Sequence, residues 1–126
     1  MHVDFKSIVA AQRLLSSFID KTALIPSHCL SQTLKNEFFL KLENTQPIGA
    51  FKIRGALNAV FNLPKRTKVV TCCSTGNHGR GIAYAANIAG IKAVIFMSSL
   101  VPQVKIDAIK SLGAEVILCG CLLYTS

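Results

Sequence analysis

The sequence contains no tryptophan and few acidic residues, with six Asp and Glu against fourteen Lys and Arg in 126 residues. No apolar run approaches the roughly 18 to 20 residues that a membrane-spanning helix needs, because Lys, Ser or Gly interrupts the longest ones. The first residues lack the basic region and the apolar stretch of a secretory signal. These absences predict a protein without a membrane-spanning segment, and we expect it to reside in the cytoplasm.

The excess of basic residues gives a net charge of +8, which by itself would favour nucleic acid as a partner. The basic residues are nevertheless scattered from Lys6 to Lys110, and the densest run, Lys65, Arg66 and Lys68, falls between two predicted elements. Seven Phe and two Tyr offer few rings on which bases could stack. We therefore interpret the run as a solvated turn and expect no nucleic-acid partner. The alternative, a basic nucleic-acid-binding domain, predicts binding that falls steeply with salt.

The five cysteines do not form a Cys-x-x-Cys pair with a distant second pair, the pattern of a zinc site. Their odd number suits a reducing compartment better than a disulfide framework. We interpret them as buried free thiols and predict no metal site. They are Cys29, Cys72, Cys73, Cys119 and Cys121.

Hydrophobic residues make up 51% of the chain, enough for the core of one domain. Their spacing and the turn residues predict helices over 4–18, 51–63, 77–89 and 102–112, strands over 37–42, 68–73, 92–97 and 114–119, and a connector over 22–32. The continuous apolar run at 93–97 is typical of a parallel strand covered on both faces. The alternation of strands and helices after Pro64 predicts an α/β fold, an open parallel sheet with flanking helices.

The turn between the predicted strand 68–73 and the helix 77–89 is a candidate anion site. Open α/β sheets bind ligands at the carboxyl ends of their strands, and backbone N–H groups at a helix N-terminus favour a carboxylate or a phosphate. The alternative is an ordinary capped turn, and the chain could also be a small non-catalytic anion-binding module. The residues of the turn are Ser74, Thr75, Gly76, Asn77 and His78.

Lys52 is a candidate nucleophile because it starts a predicted helix among apolar neighbours such as Phe51 and Ile53. A lysine against an apolar wall has its charged form disfavoured, and the neutral amine can attack a carbonyl group. The alternative is a lysine whose stem covers apolar surface while its amine reaches water.

Two segments in this order resemble the fold-type II pyridoxal-phosphate enzymes, in the threonine dehydratase and serine racemase branch. The first is KLENTQPIGAFKIRGA at 41–56, and the second is STGNHG at 74–79. The resemblance extends from about residue 22 to residue 120 and includes LGAEV at 112–116. TGNHGR at 75–80 and SSLVP at 98–102 are also similar to a hydroxyectoine-utilisation dehydratase of this family.

The resemblance implies a role for each residue of the two segments. Lys52 would hold pyridoxal 5'-phosphate covalently and act as the mobile base, Asn77 would hydrogen-bond the ring hydroxyl, and Phe51 would pack against the ring. The substrate carboxylate would be held by Ser74, Thr75, Gly76, Asn77 and His78. A small β-hydroxy amino acid of the threonine or serine class would lose its β-hydroxyl and yield a 2-oxo acid and ammonia.

The sequence departs from the family pattern at two positions. Ala50 stands where the family usually has Ser, so one hydroxyl near the lysine is absent. Thr75 stands where dehydratases often have Ala and where the racemase has a Ser that acts on the opposite face of the substrate carbon. Because the threonine methyl adds bulk, dehydration is favoured, with serine or threonine racemisation as the alternative.

The resemblance also implies how the chain is organised. Residues 1–43 would pack on a large domain that this chain does not include, and residues 44–120 would form the small cofactor-facing α/β domain. Residues 121–126 resemble none of the family, so we expect a foreign tail on a truncated sequence. The complete protein would be a homo-oligomer, and this fragment alone would have little or no turnover.

Overall fold

The computed structural model describes residues 3–120, and the predicted foreign tail lies outside them. The helices are α1 Phe5–Leu15, α2 His28–Leu34, α3 Lys52–Phe61, α4 Asn77–Ala89 and α5 Gln103–Lys110. The strands are β1 Leu24–Pro26, β2 Phe39–Lys41, β3 Val69–Cys73, β4 Lys92–Met97 and β5 Glu115–Leu118, and a 3-10 turn spans Glu43–Thr45. No helix of this part of the chain is long and apolar enough to cross a membrane.

The main sheet is parallel, with β4 between β3 and β5. Its register pairs Val70 with Ala93 and Ile95 with Val116. Ile95 and Met97 of the central strand are fully buried, as expected for a strand covered on both faces. The predicted α/β fold with an open parallel sheet and flanking helices is confirmed.

The prediction of a plain connector over 22–32 is wrong. This segment contains β1, which pairs antiparallel with β2 in a separate two-stranded sheet, and it also contains most of α2. All three residues of β1 are exposed and α2 buries no residue, so neither element has the apolar periodicity by which a sequence pattern is detected. Pro26 is tolerated because it ends a strand at a sheet edge.

The cysteines of the described part are free thiols, but the prediction that they are buried is wrong. Cys29 and Cys73 are exposed, while Cys72 and Cys119 are half-buried. Partial burial is the main cause that raises the pKa of Cys72 to about 11, and the neighbouring Cys73 adds a smaller effect. Within residues 3–120, no three His, Cys, Asp or Glu side chains come together to hold a metal ion.

Two glycines of α4 allow close packing on both sides of this helix. A Cβ on Gly79 would lie 3.1 Å from the Ser74 carbonyl oxygen and 3.2 Å from side-chain atoms of Ile95 and Ile109. A Cβ on Gly81 would lie 3.0 Å from the Ala56 Cβ and 3.3 Å from the Lys52 carbonyl oxygen. The first turns of α4 are therefore fixed between the sheet and the start of α3.

We predict that Gly81→Ala destabilises the fold by about 1–3 kcal/mol, because an added methyl group would meet backbone atoms that cannot move aside. The matched control is Gly55→Ala, since a Cβ on that helical residue meets nothing within 4 Å. The control should stabilise the protein by up to about 1 kcal/mol through helix propensity. Urea unfolding of the two variants measures the difference, and equal midpoints would contradict the predicted close approach.

Candidate active site

Lys52 is the first residue of α3 and its side chain is exposed. Its Nζ lies 5.1 Å from the centroid of the Phe51 ring, close enough for a cation–π contact. Phe51 is itself 58% exposed. In the described part of the chain, the Lys52 side chain is therefore exposed instead of lying against the predicted apolar wall, and that prediction is wrong.

The turn before α4 is stabilised by the Ser74 side chain. Its Oγ accepts hydrogen bonds from the N–H groups of Gly76 (3.3 Å) and Gly79 (3.0 Å). Gly76 takes the N-cap position in an extended conformation and has no side chain with which to cap the helix. Ser74 therefore caps α4 from two residues before its N-cap, and its hydroxyl donates to no other described residue, so it can donate to a ligand.

Three backbone donors in this turn remain free. The N–H groups of Thr75, Asn77 and His78 have no acceptor among the described residues. Two of them belong to the first turn of α4, where the helix dipole adds a partial positive charge. Thr75 is half-buried, and the side chains of Asn77 and His78 are exposed. This arrangement can hold a carboxylate or a phosphate.

The contact between α3 and α4 places the Lys52 backbone against Gly81, one helical turn after Asn77. Asn77 and Gly81 are four residues apart in α4 and therefore share one face of the helix. On that face, Gly81 packs against the Lys52 backbone, because its Cβ position is 3.3 Å from the Lys52 carbonyl oxygen. The structure thus brings together the two segments that the sequence singled out.

A groove of about 400 Å³ extends from the turn toward α5, and the sequence did not predict it. Arg80 is half-buried and lines this groove. The Nε atom of its guanidinium is fully covered and has no acceptor among the described residues. The signal available in the sequence was a cation one turn after Gly76 on the same helix. The lining residues are Thr75, Gly76, Asn77, Arg80, Val104, Lys105, Ala108 and Ile109.

A second feature that the sequence did not reveal is an ion pair between Glu43 and Arg54. Arg54 donates from Nε (2.8 Å) and Nη2 (2.7 Å) to the two carboxylate oxygens. Glu43 also accepts from Thr22 Oγ1 at 2.7 Å. These hydrogen bonds, with Arg54 contributing most, hold the pKa of Glu43 at about 2, well below its ordinary value of 4.5.

The Glu43 ion pair makes the stability of the fold depend on pH. A lowered pKa means that the ionised carboxylate stabilises the fold above pH 4.5, and that this contribution is lost as the pH falls toward about 2. At neutral pH, Glu43→Gln should cost about 1–3 kcal/mol, because it removes hydrogen bonds to a charged group. Urea-unfolding midpoints measured from neutral pH to about pH 2 should converge for wild type and variant at the acid end. Parallel curves would contradict the assignment.

Comparisons with known proteins agree with this geometry. The family model described as pyridoxal-phosphate dependent enzyme matches residues 15–124. The L-threonine ammonia-lyase of Thermotoga maritima is 43% identical over 120 residues, which are 94% of this chain and 30% of that protein.

Two solved structures are similar over nearly the whole chain. A maize serine racemase has a TM-score of 0.88 at 32% identity, over 97% of this chain and 38% of that one. A processed threonine deaminase from Solanum lycopersicum has a TM-score of 0.81 at 31% identity, over 98% of this chain and 36% of that one. This chain thus spans about a third of the length of its relatives. It belongs to the family of pyridoxal-phosphate dependent enzymes.

Proposed function

We propose that the chain is the N-terminal part of a pyridoxal-phosphate dependent ammonia-lyase, or dehydratase, which converts a β-hydroxy amino acid of the threonine or serine class to a 2-oxo acid and ammonia. The observation that carries the proposal is the packing of the Lys52 backbone against Gly81 of α4, the helix whose preceding turn has three N–H donors without an acceptor among the described residues. The relatives named as threonine ammonia-lyase and threonine deaminase support the reaction type.

The described residues fit the cofactor. The Lys52 side chain is exposed, and its amine lies 5.1 Å from the centroid of the Phe51 ring, so an aldehyde can reach it. Asn77 lies on the α4 face that meets α3 and would donate its amide to the ring hydroxyl. When bound, the cofactor supplies an electron sink for the charge left on the substrate Cα after deprotonation.

The chain's own residues would then orient the substrate and move its proton. The free N–H groups of Thr75, Asn77 and His78 would hold the substrate carboxylate, with the Ser74 hydroxyl and the backbone at Gly76 completing the site. This binding fixes the Cα near the Lys52 amine. Lys52 would remove the Cα proton as a general base, after which the β-hydroxyl leaves.

Racemisation is the second candidate activity. Its support is the likeness to serine racemase at a TM-score of 0.88, together with the hydroxyl that Thr75 places in the turn. A racemase needs an acid on the face of Cα opposite Lys52, and we propose that the Thr75 hydroxyl would supply it. Thr75→Ala would abolish racemisation and leave dehydration, which separates the two activities.

We also propose the division of the chain into residues 1–43, 44–120 and 121–126, with the middle part facing the cofactor. Its support is the exposed apolar surface of the first part, which another domain would cover. The complete protein would be a cytoplasmic homo-oligomer without a nucleic-acid partner. The exposed side chains are Val3, Phe5, Ile8, Leu14, Leu24, Ile25, Leu30, Leu34, Phe39 and Leu40.

Incubating the chain with pyridoxal phosphate and reducing it with borohydride should label Lys52 in preference to the other lysines, because a nearby anion site raises the local concentration of the aldehyde. Peptide mass spectrometry measures the distribution of the label. A non-catalytic anion-binding module would instead bind anions with an affinity indifferent to replacement of Lys52. Even labelling of all lysines would contradict the proposed cofactor site.

In the complete protein, Lys52→Ala should reduce threonine-dependent ammonia release by about 10²–10⁴-fold or more, the contribution expected of a general base. The control is Lys68→Ala, which removes an exposed lysine from the loop before β3. Ammonia release is followed with threonine and with serine as substrates. Full activity of Lys52→Ala would exclude the assigned role.

A further inference from the structure

We infer that Glu43 and Arg54 are positioning residues for Lys52. This inference rests on the proposed function, because it assumes that Lys52 is the residue that bonds the cofactor. The two ion-paired residues lie on either side of Lys52 in the chain, and the hydrogen bonds between them close the segment that contains it.

The start of α3 is buried through Ile48 and Ile53 but lacks a side-chain cap. Its N-cap residue, Phe51, makes no side-chain hydrogen bond to the helix. The preceding chain turns through Gly49, whose φ of +70° is one that other residues rarely adopt. Arg54 is in the first turn of α3, so its pairing with Glu43 fixes the turn in which Lys52 lies.

Glu43 is itself held from the N-terminal segment. Thr22 donates to its carboxylate, and Gln46 uses its side-chain amide to contact both the N–H and the carbonyl of Asp20, at 3.1 and 2.9 Å. The Glu43 side chain is 17% exposed and that of Arg54 is 37% exposed, so water competes only partly for the pair. The pair therefore links residues 20–22 to the first turn of α3 and fixes the position of that turn relative to them.

The close contact at Gly81 is the second point of attachment. It fixes the backbone of Lys52 relative to α4, and the ion pair fixes the helix turn that follows it. Without the ion pair, the Gly81 contact and the buried Ile53 would still hold the helix, but nothing polar would fix the exposed side of its first turn. The Lys52 amine would then spend less time near Asn77, and its reaction with an aldehyde held at the turn would slow.

The test uses the whole chain with pyridoxal phosphate as the probe. The rate of borohydride-trapped labelling is measured at Lys52 and at Lys68, and their ratio reports on the position of Lys52 independently of the probe concentration. Glu43→Gln should lower this ratio by about threefold or more. The matched control is Glu115→Gln, which removes the same charge from an exposed ion pair with Lys92 at the opposite end of the sheet and should leave the ratio at its wild-type value.

Circular dichroism shows which variants are folded. If Glu43→Gln does not fold, Arg54→Lys serves instead, because it keeps the charge but loses the paired donors, and it should lower the same ratio. A wild-type ratio in a folded Glu43→Gln or Arg54→Lys variant overturns the inference and leaves the proposed function standing. A ratio near one in the wild type counts against the proposed function and the inference together.

Discussion

The close approach of α3 to α4 is the contact on which the site depends. Gly81 has no side chain, so the Lys52 backbone can lie against α4 so closely that a Cβ at this position would be 3.3 Å from the Lys52 carbonyl oxygen, tighter than most Cβ contacts. On the opposite face, Gly79 allows the same helix to lie against the sheet. The turn and the lysine come from segments more than twenty residues apart, and these two contacts bring them together.

The elements of the parallel sheet could be predicted because burial shapes their sequences. Strand β4 and helix α4 have the predicted bounds, and both carry continuous or periodic apolar residues that the core requires. The β1 and α2 elements could not be predicted in the same way, since their side chains are exposed in this chain.

The features of the candidate site also differ in whether a local sequence pattern could predict them. The turn at 74–78 could be predicted because small residues directly before a helix let a ligand approach the backbone. Its free N–H groups follow from helix geometry, since the first N–H groups of a helix have no intrahelical acceptor. The Glu43–Arg54 pair and the covered Nε of Arg80 depend on which segments meet in space, so no local pattern could have revealed them. The exposure of Lys52 was mispredicted for the same reason: apolar neighbours in sequence, such as Ile53, point into the core while Lys52 points away from it.

An exposed amine has a chemical consequence for selectivity. Within residues 3–120 the Lys52 side chain is exposed beside the Phe51 ring, so this part of the chain does not shield the amine from carbonyl compounds. In this part of the chain, selectivity for one aldehyde would require a second contact that compounds without a matching anionic or polar group cannot make. Simple sugars and small ketones would reach the same amine but would not make the second contact, so they would dissociate before they react.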